Sequence, residues 1–144
     1  MCGFANVQEI QMLSMKYREY ITKNFPAEPR NKVILIRRSG SRRFTEQEKI
    51  EKVVEAAARM HNLSYVMFID NPVPSLNDTM RMFHSAVMVV APHGAGLANV
   101  VFSQPGTYIC YRRRLQSSTR EPLFPATFLR IRSSLARNSI SWWL

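Results

Sequence analysis

The sequence is poor in cysteine and has no long apolar run, and both shortages exclude classes of protein. Two cysteines, Cys2 and Cys110, supply neither a disulfide framework nor metal-ligand spacing. No stretch approaches the roughly 20 apolar residues that cross a bilayer, and no basic start joins an apolar run of signal-peptide length. We therefore expect one compact domain from 144 residues with 46% apolar content, with any signal or anchor outside this chain.

Three short motifs of nucleotide-handling proteins are also missing. No Asp-x-Asp occurs, so the metal-chelating device of many nucleotide-sugar enzymes is absent. No phosphate-binding loop with a Gly-Lys-Ser/Thr ending occurs either. Gly94-Ala95-Gly96 does not extend to the dinucleotide fingerprint, because Asn99 stands where its third glycine would be. We expect no metal ion and no prosthetic group.

Positive charge is concentrated at the carboxyl end. The net charge of the chain is +10, and residues 110–144 carry +6 of it, with seven arginines, no lysine and a single acid, Glu121. This segment also lacks glycine and valine. We expect residues 112–144 to form a divergent basic tail that is poorly ordered. Its arginines lack helical spacing and regular aromatic neighbours, so no nucleic-acid partner is expected.

Apolar runs alternate with helical patterns along the rest of the chain. A helix and connector are expected in residues 1–31, with apolar steps of three or four between Asn6 and Asn24. Residues 32–111 contain the four strand candidates Val33–Arg37, Tyr65–Ile69, Val87–Ala91 and Thr107–Tyr111. The alternating order predicts an α/β fold of Rossmann-like type, with a mainly parallel sheet and helices on both faces.

Two helix starts carry capping signals. Thr45 and Glu48 form a potential capping box, and the helix that follows should turn inward Ile50, Val53, Val54 and Ala57. Ser75 should cap the next helix, with Asp78 in the first turn. The buried side of that helix should hold Leu76, Met80 and Phe83.

Two loops should open on the same edge of this sheet, because each follows a parallel strand. Residues 37–43 bring four arginines around Ser39-Gly40-Ser41, and such guanidinium groups can converge on an anion. Pro92–Leu97 is a glycine turn that leads into a short helix, which ends at Phe102. The unpaired amides at the start of this helix can hold a phosphate. Together they predict a diphosphate site. The alternative is that the arginines form a solvated loop and the glycines only turn the chain.

These two segments carry a family resemblance. Ile36–Phe44 resembles a conserved arginine segment of glycosyltransferase family 61, and His93–Asn99, followed by Phe102 and Pro105-Gly106, resembles the family's His-Gly-Ala-Gly-Leu signature. The resemblance covers about Val33 to Ile109. It assigns nucleotide-sugar binding to the residues Arg38, Arg42, His93, Gly94, Ala95, Gly96, Leu97 and Asn99. The sequence departs from the family at one position: the family usually carries a Glu shortly after its Pro-Gly pair, and here that position falls near Tyr111, with no acid before Glu121.

The resemblance implies a function. Family members transfer sugars from UDP-sugar donors with inversion at the anomeric carbon, in a two-domain fold of GT-B type whose second domain this chain resembles. We therefore expect a UDP-sugar as co-substrate and a glycoprotein or glycan hydroxyl as acceptor. The resemblance also implies a location in the endoplasmic reticulum or Golgi lumen, with the full-length protein anchored in the membrane. The amino-terminal acceptor domain is expected to be missing, and no general base can be named. The alternative is a non-catalytic remnant that binds a nucleotide, another anion or a protein.

Overall fold

The computed structural model describes residues 7–39, 43–112 and 127–130. The helices of this part of the chain are α1 (Val7–Asn24), α2 (Gln47–Met60), α3 (Leu76–His84) and a 3₁₀ helix (Ala95–Phe102). The strands are β1 (Lys32–Arg37), β2 (Ser64–Ile69), β3 (Ala86–Pro92), β4 (Tyr108–Arg112) and β5 (Thr127–Arg130). Helices and strands alternate up to β4, as the sequence predicts.

The five strands form one sheet in the order β2-β1-β3-β4-β5. The four strands from β1 to β4 run parallel, and β5 joins the outer side of β4 in antiparallel orientation. The predicted strands are confirmed, each within one residue at either end. They were recognisable because a strand covered on both faces is a nearly continuous apolar run. Of the predicted basic tail, residues 113–126 and 131–144 lie outside the described part of the chain.

Helices cover both faces of the sheet, because alternate strand side chains point to opposite sides. On one face Ile34, Ile36 and Val89 pack with Phe83 of α3 and with Phe102 of the 3₁₀ helix. The other face carries a smaller cluster of Leu35, Phe44 and Val90, against which Ile50 and Val54 of α2 pack. The predicted Rossmann-like fold, an α/β sheet between two helical layers, is confirmed.

Helix α2 differs from its predicted start and inward face. It begins at Gln47 with Glu46 as its cap residue, and no side chain caps its amides. The predicted capping box at Thr45 is therefore wrong, since Thr45 lies one residue too early. The face that packs on the sheet follows a spacing of four, through Ile50 and Val54 to buried Ala58.

Two residues predicted to point inward from α2 are displaced from that face. Val53 is 68% exposed, and Ala57 is exposed as well. A spacing of four from Ile50 rotates both positions toward solvent, so this part of the prediction is wrong.

Helix α3 begins as predicted and differs in one residue of its buried side. The Ser75 hydroxyl accepts a hydrogen bond from the Asp78 amide at 3.1 Å, which confirms the predicted cap. Met80 and Phe83 are buried, but Leu76 is 61% exposed. Leu76 is the first residue of the helix, where the chain enters from solvent, and it borders an open apolar groove between α1 and α3.

Helix α1 packs on the 3₁₀ helix. The Ser14 hydroxyl donates to the Val101 carbonyl at 2.9 Å, and the ring of Tyr17 meets the ring of Phe102 edge-on at 4.8 Å. Ile21 anchors the end of α1 in the core. None of the helices in the described ranges is both long enough and apolar enough to span a membrane.

Candidate functional site

Three loop residues follow the carboxyl ends of neighbouring strands. Arg38 follows β1, Asp70 follows β2 and His93 follows β3. Arg37 and Ile69 are paired across β1 and β2, so the residues after them emerge side by side. Because β3 lies on the other side of β1, the Pro92–Leu97 turn flanks Arg38 from the opposite direction. This carboxyl edge is where open parallel sheets bind ligands.

Asp70 fastens the loop after β1 to the end of β2. Its Oδ1 accepts hydrogen bonds from the amide and from the hydroxyl of Ser39, both at 2.9 Å. Its Oδ2 accepts a longer one from Nε of Arg38 at 3.4 Å. The bond from the Ser39 amide, more than the ion pair with Arg38, holds the pKa of Asp70 below its usual range. Asp70 is therefore an anion at neutral pH.

The guanidinium group of Arg38 lies against the backbone of Gly94. A Cβ built on Gly94 would be 3.2 Å from Cζ of Arg38 and closer still to its Nη1. Only a glycine permits this approach. Nη1 is buried, and within the described ranges it has no hydrogen-bond partner. A charged donor thus lies beside the glycine turn without a hydrogen-bond partner from the described part of the chain.

The turn leads directly into the 3₁₀ helix. The Leu97 amide donates to the Gly94 carbonyl at 3.0 Å, so it is already engaged. The first amides of a helix have no acceptor within that helix, so the amides of Ala95 and Gly96 are candidate donors to an anion. Gly96 lets the helix approach the sheet, because a Cβ there would lie 3.0 Å from Cγ2 of Ile36.

The remaining predicted site residues are distributed around this turn. The His93 ring is exposed and lies 6.0 Å from the ring of Tyr111, at an angle of 37°. The Leu97 side chain packs against the core, and half-buried Asn99 lies within the 3₁₀ helix. Arg42 lies outside the described residues. Binding roles for all of these remain predictions, and the structure brings Arg38 and Gly94 together.

Asp70 was not among the residues predicted for this edge. A usable signal was present, because an acid directly after the second strand must stand beside the arginine directly after the first once the strands pair in parallel. Within the described ranges no group of three or more His, Cys, Asp or Glu side chains could hold a metal ion.

A doubly wound α/β domain with a charged, glycine-lined carboxyl edge belongs to the class that binds ligands at strand ends. The family model for Glycosyltransferase 61 matches residues 3–110, which include both loops of this edge. The chain belongs to glycosyltransferase family 61, and the resemblance seen in the sequence is confirmed. The match stops before β5. No curated protein matches the chain in a sequence search.

Proposed function

We propose that this chain is the donor-binding domain of a glycosyltransferase and holds the diphosphate of a UDP-sugar at its carboxyl edge. One observation carries the proposal: Arg38 and the Gly94 turn, which come from separate loops, are in contact, and Nη1 of Arg38 is buried with no hydrogen-bond partner among the described residues. A guanidinium group beside the amides at a helix start provides charge-assisted hydrogen bonds for phosphate oxygens. Arg42 would add a second guanidinium group from the same loop.

In this reaction an acceptor hydroxyl displaces UDP from the anomeric carbon with inversion. The acceptor would be a glycoprotein or a glycan in the endoplasmic reticulum or Golgi lumen. The positive groups at the edge would stabilise the negative charge that develops on the leaving diphosphate. In the proposed mechanism Arg38 supplies this charge stabilisation without a metal ion, and the amides of the turn assist it.

The second candidate function is binding without catalysis. Asp70 favours it when residues 1–144 act without another domain, because this acid is not suited to be the general base. A general base works best when its pKa lies near the working pH. Asp70 accepts three hydrogen bonds and has a lowered pKa, so it is a poor proton acceptor. We therefore propose that the base and the acceptor site come from an amino-terminal domain facing this edge.

Calorimetric titration with UDP and with uridine tests donor binding. Arg38→Ala should weaken UDP binding about ten- to a hundredfold, because a hydrogen bond to a charged group contributes about 1.5–3 kcal/mol. Uridine has no phosphate, so its affinity should hardly change. Arg59→Ala is a matched control, since Arg59 is an exposed arginine on α2 paired with Glu55. Equal losses for UDP and uridine, or equal effects of both substitutions, would contradict the phosphate role of Arg38.

A transfer assay separates the two candidates. Positioning of reactants can supply about 7–11 kcal/mol of a barrier, and a donor domain without an acceptor site does not provide it. We expect residues 1–144 alone to show no sugar transfer from any UDP-sugar while still binding UDP. Robust turnover by the purified chain would refute the division of labour between two domains.

A further inference from the structure

We propose that Asp70 is a positioning residue of the donor site, which acts by fixing Arg38 in the orientation that presents its guanidinium group to the Gly94 turn. The inference rests on the proposed function and concerns the same edge. Asp70 itself is directed at the protein and not at a ligand, because both of its oxygens accept hydrogen bonds from the loop after β1.

Two nitrogen atoms of the Arg38 guanidinium group face different neighbours. Its Nε is turned to the Asp70 carboxylate, and its Nη1 is turned to Gly94. A guanidinium group is planar and rigid, so fixing Nε also fixes the direction in which the two Nη atoms point. An arginine side chain otherwise loses considerable rotamer entropy when a ligand orders it. Because Asp70 already orders the Arg38 side chain in the free protein, less entropy would be lost when the ligand binds.

Ser39 completes the arrangement. Its amide and its hydroxyl both donate to Oδ1 of Asp70, which holds the carboxylate plane and leaves Oδ2 for Arg38. The loop after β1 is thus attached to the end of β2 immediately beside the arginine. The Asp70 amide also donates to the Arg37 carbonyl at 3.4 Å, which continues the β1–β2 pairing to the edge.

A purely electrostatic role of Asp70 and a positioning role predict opposite effects of Asp70→Asn on UDP affinity. Asp70 carries a negative charge next to the proposed diphosphate site, and like charges repel. If its charge were the main effect, Asp70→Asn would strengthen UDP binding. If positioning dominates, the same isosteric substitution weakens binding, because Arg38 loses its ionic partner. The sign of the change therefore separates the two explanations.

The test is a double-mutant cycle on UDP affinity in the full chain, measured by calorimetry. We expect Asp70→Asn to weaken UDP binding about tenfold, the scale of one charge-assisted hydrogen bond. In the Arg38→Ala background the same substitution should have almost no effect, since its target is gone. Ser39→Ala should give a smaller loss in the same direction. Glu55→Gln, which removes the carboxylate partner of the exposed Arg59, should leave UDP affinity unchanged.

A second measurement does not depend on the ligand. In the ¹⁵N-labelled chain without nucleotide, the Nε–Hε resonance of Arg38 should be shifted and protected from exchange, and Asp70→Asn should abolish both effects while the fold is retained. Tighter UDP binding by Asp70→Asn, or an equal loss with and without Arg38, would overturn the positioning role. An Arg38 resonance that is unchanged by Asp70→Asn would also overturn it. If the unaltered chain does not bind UDP, the donor-binding proposal fails, and the resonance still decides whether Asp70 orients Arg38.

Discussion

Gly94→Ala is the smallest change that should disturb the site through its geometry. The added Cβ would overlap Nη1 of Arg38 and lie 3.2 Å from its Cζ, closer than ordinary van der Waals contact. The guanidinium group is the end of a long side chain, so it should move away from the turn. Its hydrogen bonds to a bound diphosphate would then be lost or lengthened.

The expected magnitude follows from the interaction that is removed. Loss of a charge-assisted hydrogen bond corresponds to about 1.5–3 kcal/mol, or about ten- to a hundredfold in UDP affinity. The assay is calorimetric titration of UDP, with urea denaturation of the same samples to separate binding from folding. The uridine affinity should be nearly unaffected.

Combining the substitution with Arg38→Ala isolates the cause. Without the arginine side chain the new methyl group no longer overlaps Nη1, so Gly94→Ala should cost less UDP affinity in that background, where only the strain of an alanine at a φ of +159° is left. A full additional loss there would mean that the methyl group acts on the ligand or on the turn itself. That outcome would refute the hypothesis that Gly94 is needed because a side chain there would displace the Arg38 guanidinium group.

Three further predictions concern stability, each measured by urea denaturation. Phe83→Ala should lower the free energy of unfolding by about 3–5 kcal/mol, because Phe83 is fully buried and meets the ring of Phe68 edge-on, whereas Val53→Ala on the exposed side of α2 should change it little. Ser75→Ala should lower it by about 1 kcal/mol through loss of the α3 cap, and an unchanged value would show that the cap is replaced by water. The folded-state pKa of Asp70 is lowered, so its contribution should be present above the usual aspartate pKa of about 3.9 and disappear as the pH falls through the lowered value. The stability difference between the wild type and Asp70→Asn should therefore be constant from pH 5 to 8 and shrink in stronger acid; a constant difference throughout would contradict the lowered pKa.

The sheet was well predicted because parallel strands that are buried on both faces are nearly continuous apolar runs in the sequence. Runs such as Val33–Arg37 are apolar on both faces, and their short length and flanking polar residues favour a strand over a buried helix. The helix surfaces were harder to predict. Val53 and Leu76 fit an apolar helical pattern and are nevertheless exposed. The pattern shows that a helix has an apolar side, but packing against the neighbouring layer determines which residues of that side are buried.

The site was predictable in part for a related reason. The arginine loop and the glycine turn were recognisable as separate segments that open on one edge. Their contact depends on the rotamer of Arg38, and that rotamer depends on Asp70, 32 residues further along the chain. Local pattern does not encode such a partner. Only the parallel register of β1 and β2 brings the two residues together.

The arrangement of Arg38, Asp70 and Gly94 also ties binding to folding. Each residue follows a different strand, so the three groups are assembled only after β1 has paired with both of its neighbours. A partly folded chain that lacks either pairing would not assemble the proposed diphosphate site. A ligand bound only by the native state then stabilises the whole sheet, by about 2.7 kcal/mol at a concentration one hundred times its dissociation constant. If the proposed donor site is correct, donor supply in a cell helps to determine what fraction of this domain is folded.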